Sequence, residues 1–351
     1  MRKLSILIGL LCFISTLSFV QTTHAQSKDS DSLYDQLRAL FEDDVISFGS
    51  LLQSQGEVHW DPESPGENTF RFATARFKLY GNLDDHFSYV LQTDFTNSLA
   101  LLDANIRYTT DHFALTAGAQ KPGISAEFLT PASSTDLVNR SRVVTSLVNR
   151  RDVGLLSRLS VSPSFYVLGG IFNGTNQNLE NNNNTFYYTG RLVFNPDLGD
   201  DNVLNIGANV GLSTESGTGT GTIIGNGFFP AVTGERTIYG GDIRVESGRL
   251  LLSSELLIGA LEYAPGIKDE VTGYHITGGY WVSEKAQIVL RFDHLENDES
   301  DFFTVPAEDL LLAGLNWNWT NTTSFQFNYQ INPDDPAFGD HLWLAQVQVA
   351  F

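Results

Sequence analysis

The sequence predicts an all-β fold: a transmembrane antiparallel β-barrel of about sixteen strands, with one long loop folded inward. Three observations carry this reading. Apolar and polar residues alternate in about sixteen segments spread over the chain. Only 18% of residues are charged while aromatics reach 12% and glycines number 31, a balance that suits strands facing lipid. An export segment opens the chain, and no later apolar run reaches the roughly 18 residues of a spanning helix.

Residues 1–25 read as a secretory signal peptide: Arg2 and Lys3, an apolar run over 4–20, then Thr23-His24-Ala25 before a cleavage point at Gln26. The single cysteine, Cys12, lies in that run, so the mature chain has none. This excludes a disulfide scaffold and any cysteine-held zinc or iron–sulfur site. In residues 26–43, Leu33, Leu37, Leu40 and Phe41 follow helical spacing behind Ser30 or Asp31. That pattern fits a short leader helix or a flexible segment, with the barrel occupying 44–351.

The strands are expected near 44–60, 69–81, 86–96, 99–110, 112–121, 150–160, 164–172, 185–195, 202–214, 235–247, 249–260, 270–282, 285–296, 308–319, 322–332 and 340–351. An even count closes an antiparallel barrel. The last segment is the clearest: Trp343, Ala345, Val347, Val349 and Phe351 alternate with Gln346 and Gln348. Ending on Phe351, it reads as the signal by which barrel-assembly machinery would engage the chain. Tight turns are expected at 81–85, 110–111, 162–163, 247–248, 283–284 and 320–321, with longer polar loops between them. Aromatic pairs at Tyr187-Tyr188, Trp317 with Trp319, and Phe302-Phe303 resemble interfacial girdles. A soluble sandwich or propeller shares the alternation but explains neither the girdles nor the export segment.

The stretch 122–149 does not alternate. Its Ile124, Phe128, Leu129, Leu137, Val143, Val144, Leu147 and Val148 require burial, so it is expected to fold into the lumen as a constriction. Charge supports a role there. The formal net charge is −20, yet residues 71–158 sum to +2 while 159–351 sum to −16. Arg140, Arg142, Arg150 and Arg151 crowd the end of the loop, and Arg76, Lys78 and Arg107 lie on the polar parity of their strands. Such residues favour anions in a pore. They are equally expected to pair with Asp94, Asp103, Asp136 or Asp152 and so fix the loop.

Other chemistry has little support. His59, His86, His112, His275, His294 and His341 show no metal spacing, and the chain has neither a Gly-x-Ser-x-Gly elbow nor a phosphate-binding loop. No cofactor or enzymatic activity is expected, and the acidity argues against nucleic acid as a partner. The acidic clusters Asp197/Asp200/Asp201 and Asp298/Glu299/Asp301 read as solvated turns and loops.

Several ordered pieces resemble the phosphate-selective porin O and P family. These are Phe72-Ala-Thr-Ala-Arg-Phe-Lys-Leu-Tyr-Gly, Phe87-Ser-Tyr-Val-Leu-Gln-Thr-Asp-Phe95 and Leu102-Asp-Ala-Asn-Ile-Arg-Tyr108, then Gly118-Ala-Gln-Lys-Pro-Gly with Glu127-Phe-Leu-Thr130. Asp136-Leu-Val-Asn-Arg140, Arg150-Arg-Asp-Val-Gly154 and Gly170-Ile-Phe-Asn-Gly174 complete the series. The resemblance implies a sixteen-stranded bacterial outer-membrane porin, commonly trimeric, that passes small anionic or polar solutes and contacts outer-membrane lipids. It also points to Lys121 of the corner as an anion contact. The chain departs from the pattern in two ways: Gln120 stands one place later than usual, and residues 159–351 show no traceable ladder of basic residues. Both departures weigh against phosphate as the favoured solute. A structural or adhesive barrel with a closed lumen is the alternative.

Overall fold

A computed structural model describes residues 45–59, 68–96, 98–148, 151–175, 180–216, 232–297, 308–333 and 341–351. The expected signal peptide and leader, Phe302-Phe303 and Arg150 lie outside the described residues. The described residues form sixteen strands in sequence order round a closed barrel, each antiparallel to its neighbours. In order they are β1 (Ser47–His59), β2 (Thr69–Asn82), β3 (Phe87–Asp94), β4 (Ala100–Thr109), β5 (Phe113–Gln120), β6 (Asp152–Ser162), β7 (Phe165–Phe172) and β8 (Tyr187–Phe194). Then come β9 (Asn202–Thr214), β10 (Glu235–Ser247), β11 (Leu250–Ala264), β12 (Ile267–Trp281), β13 (Ala286–Asn297), β14 (Glu308–Asn318), β15 (Thr323–Ile331) and β16 (Leu342–Ala350). β1 closes the ring on β16, from Leu51 opposite Ala350 to His59 opposite Leu342.

Residues directly opposite in an antiparallel pair share a face. Parity therefore propagates from strand to strand. Gln53 faces Thr74, Leu51 faces Arg76 and Gly49 faces Lys78; Arg76 then faces Asp94, and Lys78 faces Gln92. This set points inward. The opposite set, with Leu52, Phe77, Leu91, Ile106, Leu290 and Trp343, is an exposed apolar surface suited to hydrocarbon.

The tight turns have local causes. Asp84 accepts from the amides of His86 and Phe87, each at 2.8 Å, and these bonds hold its carboxyl below its ordinary value. Thr110, Ser283 and Thr320 likewise accept from backbone amides two or three residues on. Two sequence expectations need correction. β11 and β12 run to a two-residue hairpin at Pro265-Gly266, where 261–269 reads as a link. Strand pairing continues there with Glu262, Lys268 and Glu270 facing outward, so the lipid-type alternation ends before the strands do. A further turn, with Gly199 at φ 88°, joins β8 to β9. Tyr187 is not a girdle residue: it points inward and is wholly buried, while Tyr188 faces out.

Candidate functional site

Between β5 and β6 the chain leaves the wall. It forms α1 (Ala126–Leu129), a 3-10 turn (Ala132–Ser134) and α2 (Arg142–Leu147). The departure corner is built from the motif residues. Gly118 has φ 125°, and a Cβ there would lie 2.2 Å from the Ala104 carbonyl oxygen, so only glycine fits. Across the corner, the Asp152 carboxylate accepts from the amides of Val153 (2.8 Å) and Gly174 (2.6 Å), and Gly174 has φ 82°.

The loop is held by apolar packing and by polar seating. Ile124, Val143, Val144, Leu147 and Val148 cluster with Ile238, Leu257, Leu261, Val271 and Leu295, which are inward residues of β10–β13. Leu137 packs on Val289, Leu310 and Leu312. A helix as short as Arg142–Leu147, with four of its six residues β-branched or Ser, does not stand alone in water. Its three buried apolar side chains, Val143, Val144 and Leu147, are each worth roughly 1.5–3 kcal/mol before entropy is counted.

A belt of inward amides and one arginine grips the loop backbone. Gln53 donates to the Ala132 carbonyl (3.1 Å), Gln348 to Ser133 (3.0 Å), Gln326 to Thr135 (3.0 Å), and Asn316 to Asp136 (2.9 Å). Asn328 accepts from the Val138 amide (2.7 Å), and Arg291 donates to the Asn139 carbonyl (3.3 Å). Wall carboxylates meet both helix starts: Glu255 accepts from the Glu127 amide at 3.0 Å, and Asp293 from the Arg142 amide at 2.9 Å.

Glu127 is the hub. Arg291 donates to its Oε1 at 2.7 Å, and Ser141 donates to its Oε2 from the amide (2.9 Å) and the hydroxyl (2.5 Å). Burial raises the Glu127 carboxyl, but Arg291, His275 and Ser141 outweigh it and hold it at about 2. Arg140 donates to the carbonyls of Glu127 (3.0 Å) and Thr130 (2.6 Å), and burial lowers its guanidinium. Lys121 donates to the carbonyls of Phe128, Leu129 and Thr130. Burial and the neighbouring charges of Arg140 and Arg151 push the Lys121 ammonium down to about 6.

The structure gathers four of the expected basic residues round one cavity of about 630 Å³: Arg76, Lys78, Lys121 and Arg151. Arg151 grips Asp103 with two bonds, 2.7 and 3.1 Å, and Arg76 meets Asp94 at 2.9 Å. Lys78 lies 4.6 Å over the Tyr80 ring. Phe351 lies at the edge of the same cavity. Arg107 sits on the inward parity of β4, outside this lining, opposite Ser88 and Thr116. Arg140 and Arg142 lie within the loop, outside the lining as well.

Sequence reasoning missed the partners on the far wall. Arg191, Arg236, Arg244 and Arg291 all take inward parity in the stretch where no basic ladder was traced. Each meets acid: Asp242 at 2.5 Å, Glu215 at 3.6 Å, Asp136 at 2.8 Å and Glu127 at 2.7 Å. The available signal was a charge placed between lipid-facing neighbours, which must point to the lumen. Among the described residues no group of three acidic, His or Cys side chains suits a metal. No helix among them is long and apolar enough to cross a membrane.

The fold is shared with known outer-membrane barrels. OmpF of Salmonella typhi, in a complex with daunomycin, aligns at TM-score 0.64 and 10% identity over 87% of this chain and 97% of its own. An anion-selective porin from Comamonas acidovorans aligns at 0.60 and 10% identity, covering 87% and 99%. The trimer form of OmpT from Vibrio cholerae aligns at 0.57 and 11% identity, covering 88% and 99%. No curated protein matches the sequence. A model of the phosphate-selective porin O and P family matches residues 55–238, which hold the loop corner, the loop and the four cations of the cavity. The chain therefore belongs to the phosphate-selective porin O and P family of bacterial outer-membrane channels.

Proposed function

We propose that this porin passes small hydrophilic solutes by diffusion through a lumen narrowed by the loop 122–149, with a bias toward anions. The observation that carries the reading is the convergence of Arg76, Lys78, Lys121 and Arg151 on one cavity beside the loop tip. Pairing does not remove this bias. Asp94 and Asp103 offset Arg76 and Arg151 and leave Lys78 in excess, while the fixed guanidinium–carboxylate pairs orient a field across the opening. Arg107, Arg140 and Arg142 add positive potential around it. Nothing in the lining singles out phosphate. We further propose removal of residues 1–25 on export, a periplasmic role for 26–43, engagement of assembly machinery through the strand ending at Phe351, and a homotrimer. The last rests on the OmpT trimer form.

Reversal potentials across a KCl gradient in planar bilayers test the bias. Wild type should prefer chloride. Joint replacement Arg76→Gln, Lys78→Gln and Arg151→Gln should move it toward cation preference, because Asp94 and Asp103 then lose their guanidinium partners. Potassium preference in wild type would overturn the proposal. The closed-barrel reading draws on the dense seating of the loop and requires that reconstituted protein carry no current.

A further inference from the structure

The lining of the basic cavity has two characters. Cations come from β2, from the base of the loop and from the residue just before β6: Arg76, Lys78, Lys121 and Arg151. Apolar side chains come from β1, β16 and the loop tip: Leu51, Ala350, Leu129, Pro131 and Ala132. The two are neighbours, since Leu51 lies directly opposite both Arg76 on β2 and Ala350 on β16. Gln53 ties the tip to β1 through the Ala132 carbonyl, so the apolar tip is held beside this wall.

An inorganic phosphate needs donors on every side and a strong positive excess. This cavity offers neither. The Asp103 carboxylate lies in it, already engaged by Arg151, and Lys121 is committed to main-chain carbonyls. The apolar side chains of the lining offer no hydrogen bonds. That same surface gains by covering the apolar part of a solute. The volume, about 630 Å³, falls within the roughly 300–1,000 Å³ typical of small-molecule sites.

We infer that the cavity preferentially holds small organic monocarboxylates, whose charged end meets Arg76 and Lys78 and whose apolar body lies on Leu129, Pro131 and Ala132. The inference rests on the anion-conducting reading above and goes beyond it in naming the solute class. The test uses the mature full-length porin in planar bilayers at pH 6, with benzoate, acetate and inorganic phosphate as probes; at that pH all three are largely monovalent. Benzoate should slow the chloride current at concentrations at least about tenfold below acetate, with phosphate no better than acetate. Leu129→Asn should bring benzoate down to the acetate level. Equal effects of benzoate and acetate in wild type, or stronger action by phosphate, would overturn the inference, and neither comparison needs a variant to fold. A potassium-preferring wild type instead removes the anion reading beneath it, so the two failures are told apart.

Discussion

Two residues of the loop carry opposite electrostatic assignments. Lys121 is pushed down to about 6 by burial and by Arg140 and Arg151. It is therefore cationic below that value and neutral above it. Anion preference, read as reversal potential, should rise as pH falls from 8 to 5 with an inflection near 6, and Lys121→Met should abolish the inflection. Glu127 is held at about 2, below its ordinary 4.5. Its stabilising contribution is thus complete above about 4.5 and lost only as pH falls toward 2. Of these two, Lys121 was visible in the Gly118-Ala-Gln-Lys motif, but its bonds to three loop carbonyls were not. Those bonds depend on how the loop folds back, which no local spacing encodes.

At the scale of elements, strand alternation was legible because lipid on one side and lumen on the other impose a period of two. It failed where water replaced lipid, at the tips of β11 and β12. The loop's burial was legible from its apolar content, whereas α1 and α2 were not: both are too short to show a helical period, and contacts with the wall hold them. Those contacts centre on Glu127 and Arg291, 2.7 Å apart. Glu127→Gln leaves Arg291 buried without its charge partner, a loss of roughly 3–5 kcal/mol. The loop should come away from β13. Single-channel conductance should increase and its noise should grow, while heat-modifiable gel mobility shows an intact barrel. Unchanged conductance would show that the apolar seating of α2 suffices.

For the whole molecule, closure depends on the last strand. Ser50 and Phe351 exchange main-chain bonds of 2.8 and 3.1 Å, which extend the β1–β16 seam beyond Ala350. Aromatic stacking marks the same end of the barrel: Trp317 and Trp319 lie 5.7 Å apart with Phe325 beside both. Deleting Phe351 should lower the yield of assembled barrel several-fold in membranes, while channels that do assemble keep wild-type selectivity. Altered selectivity would mean that Phe351 shapes the cavity it borders. The net charge of −20 belongs to a different part of the molecule, since many of the acids occupy turns and loops and the lumenal ones are largely paired.

The amide belt of Gln53, Gln348, Gln326 and Asn316 grips carbonyl oxygens of the loop, not its side chains. Every amino acid supplies a carbonyl. The side chains at 132–135 can therefore change while their mooring stays the same, and the barrel works as a socket that accepts differently shaped inserts. A porin built this way can acquire a new solute range by rewriting a few loop positions without relearning how to fold.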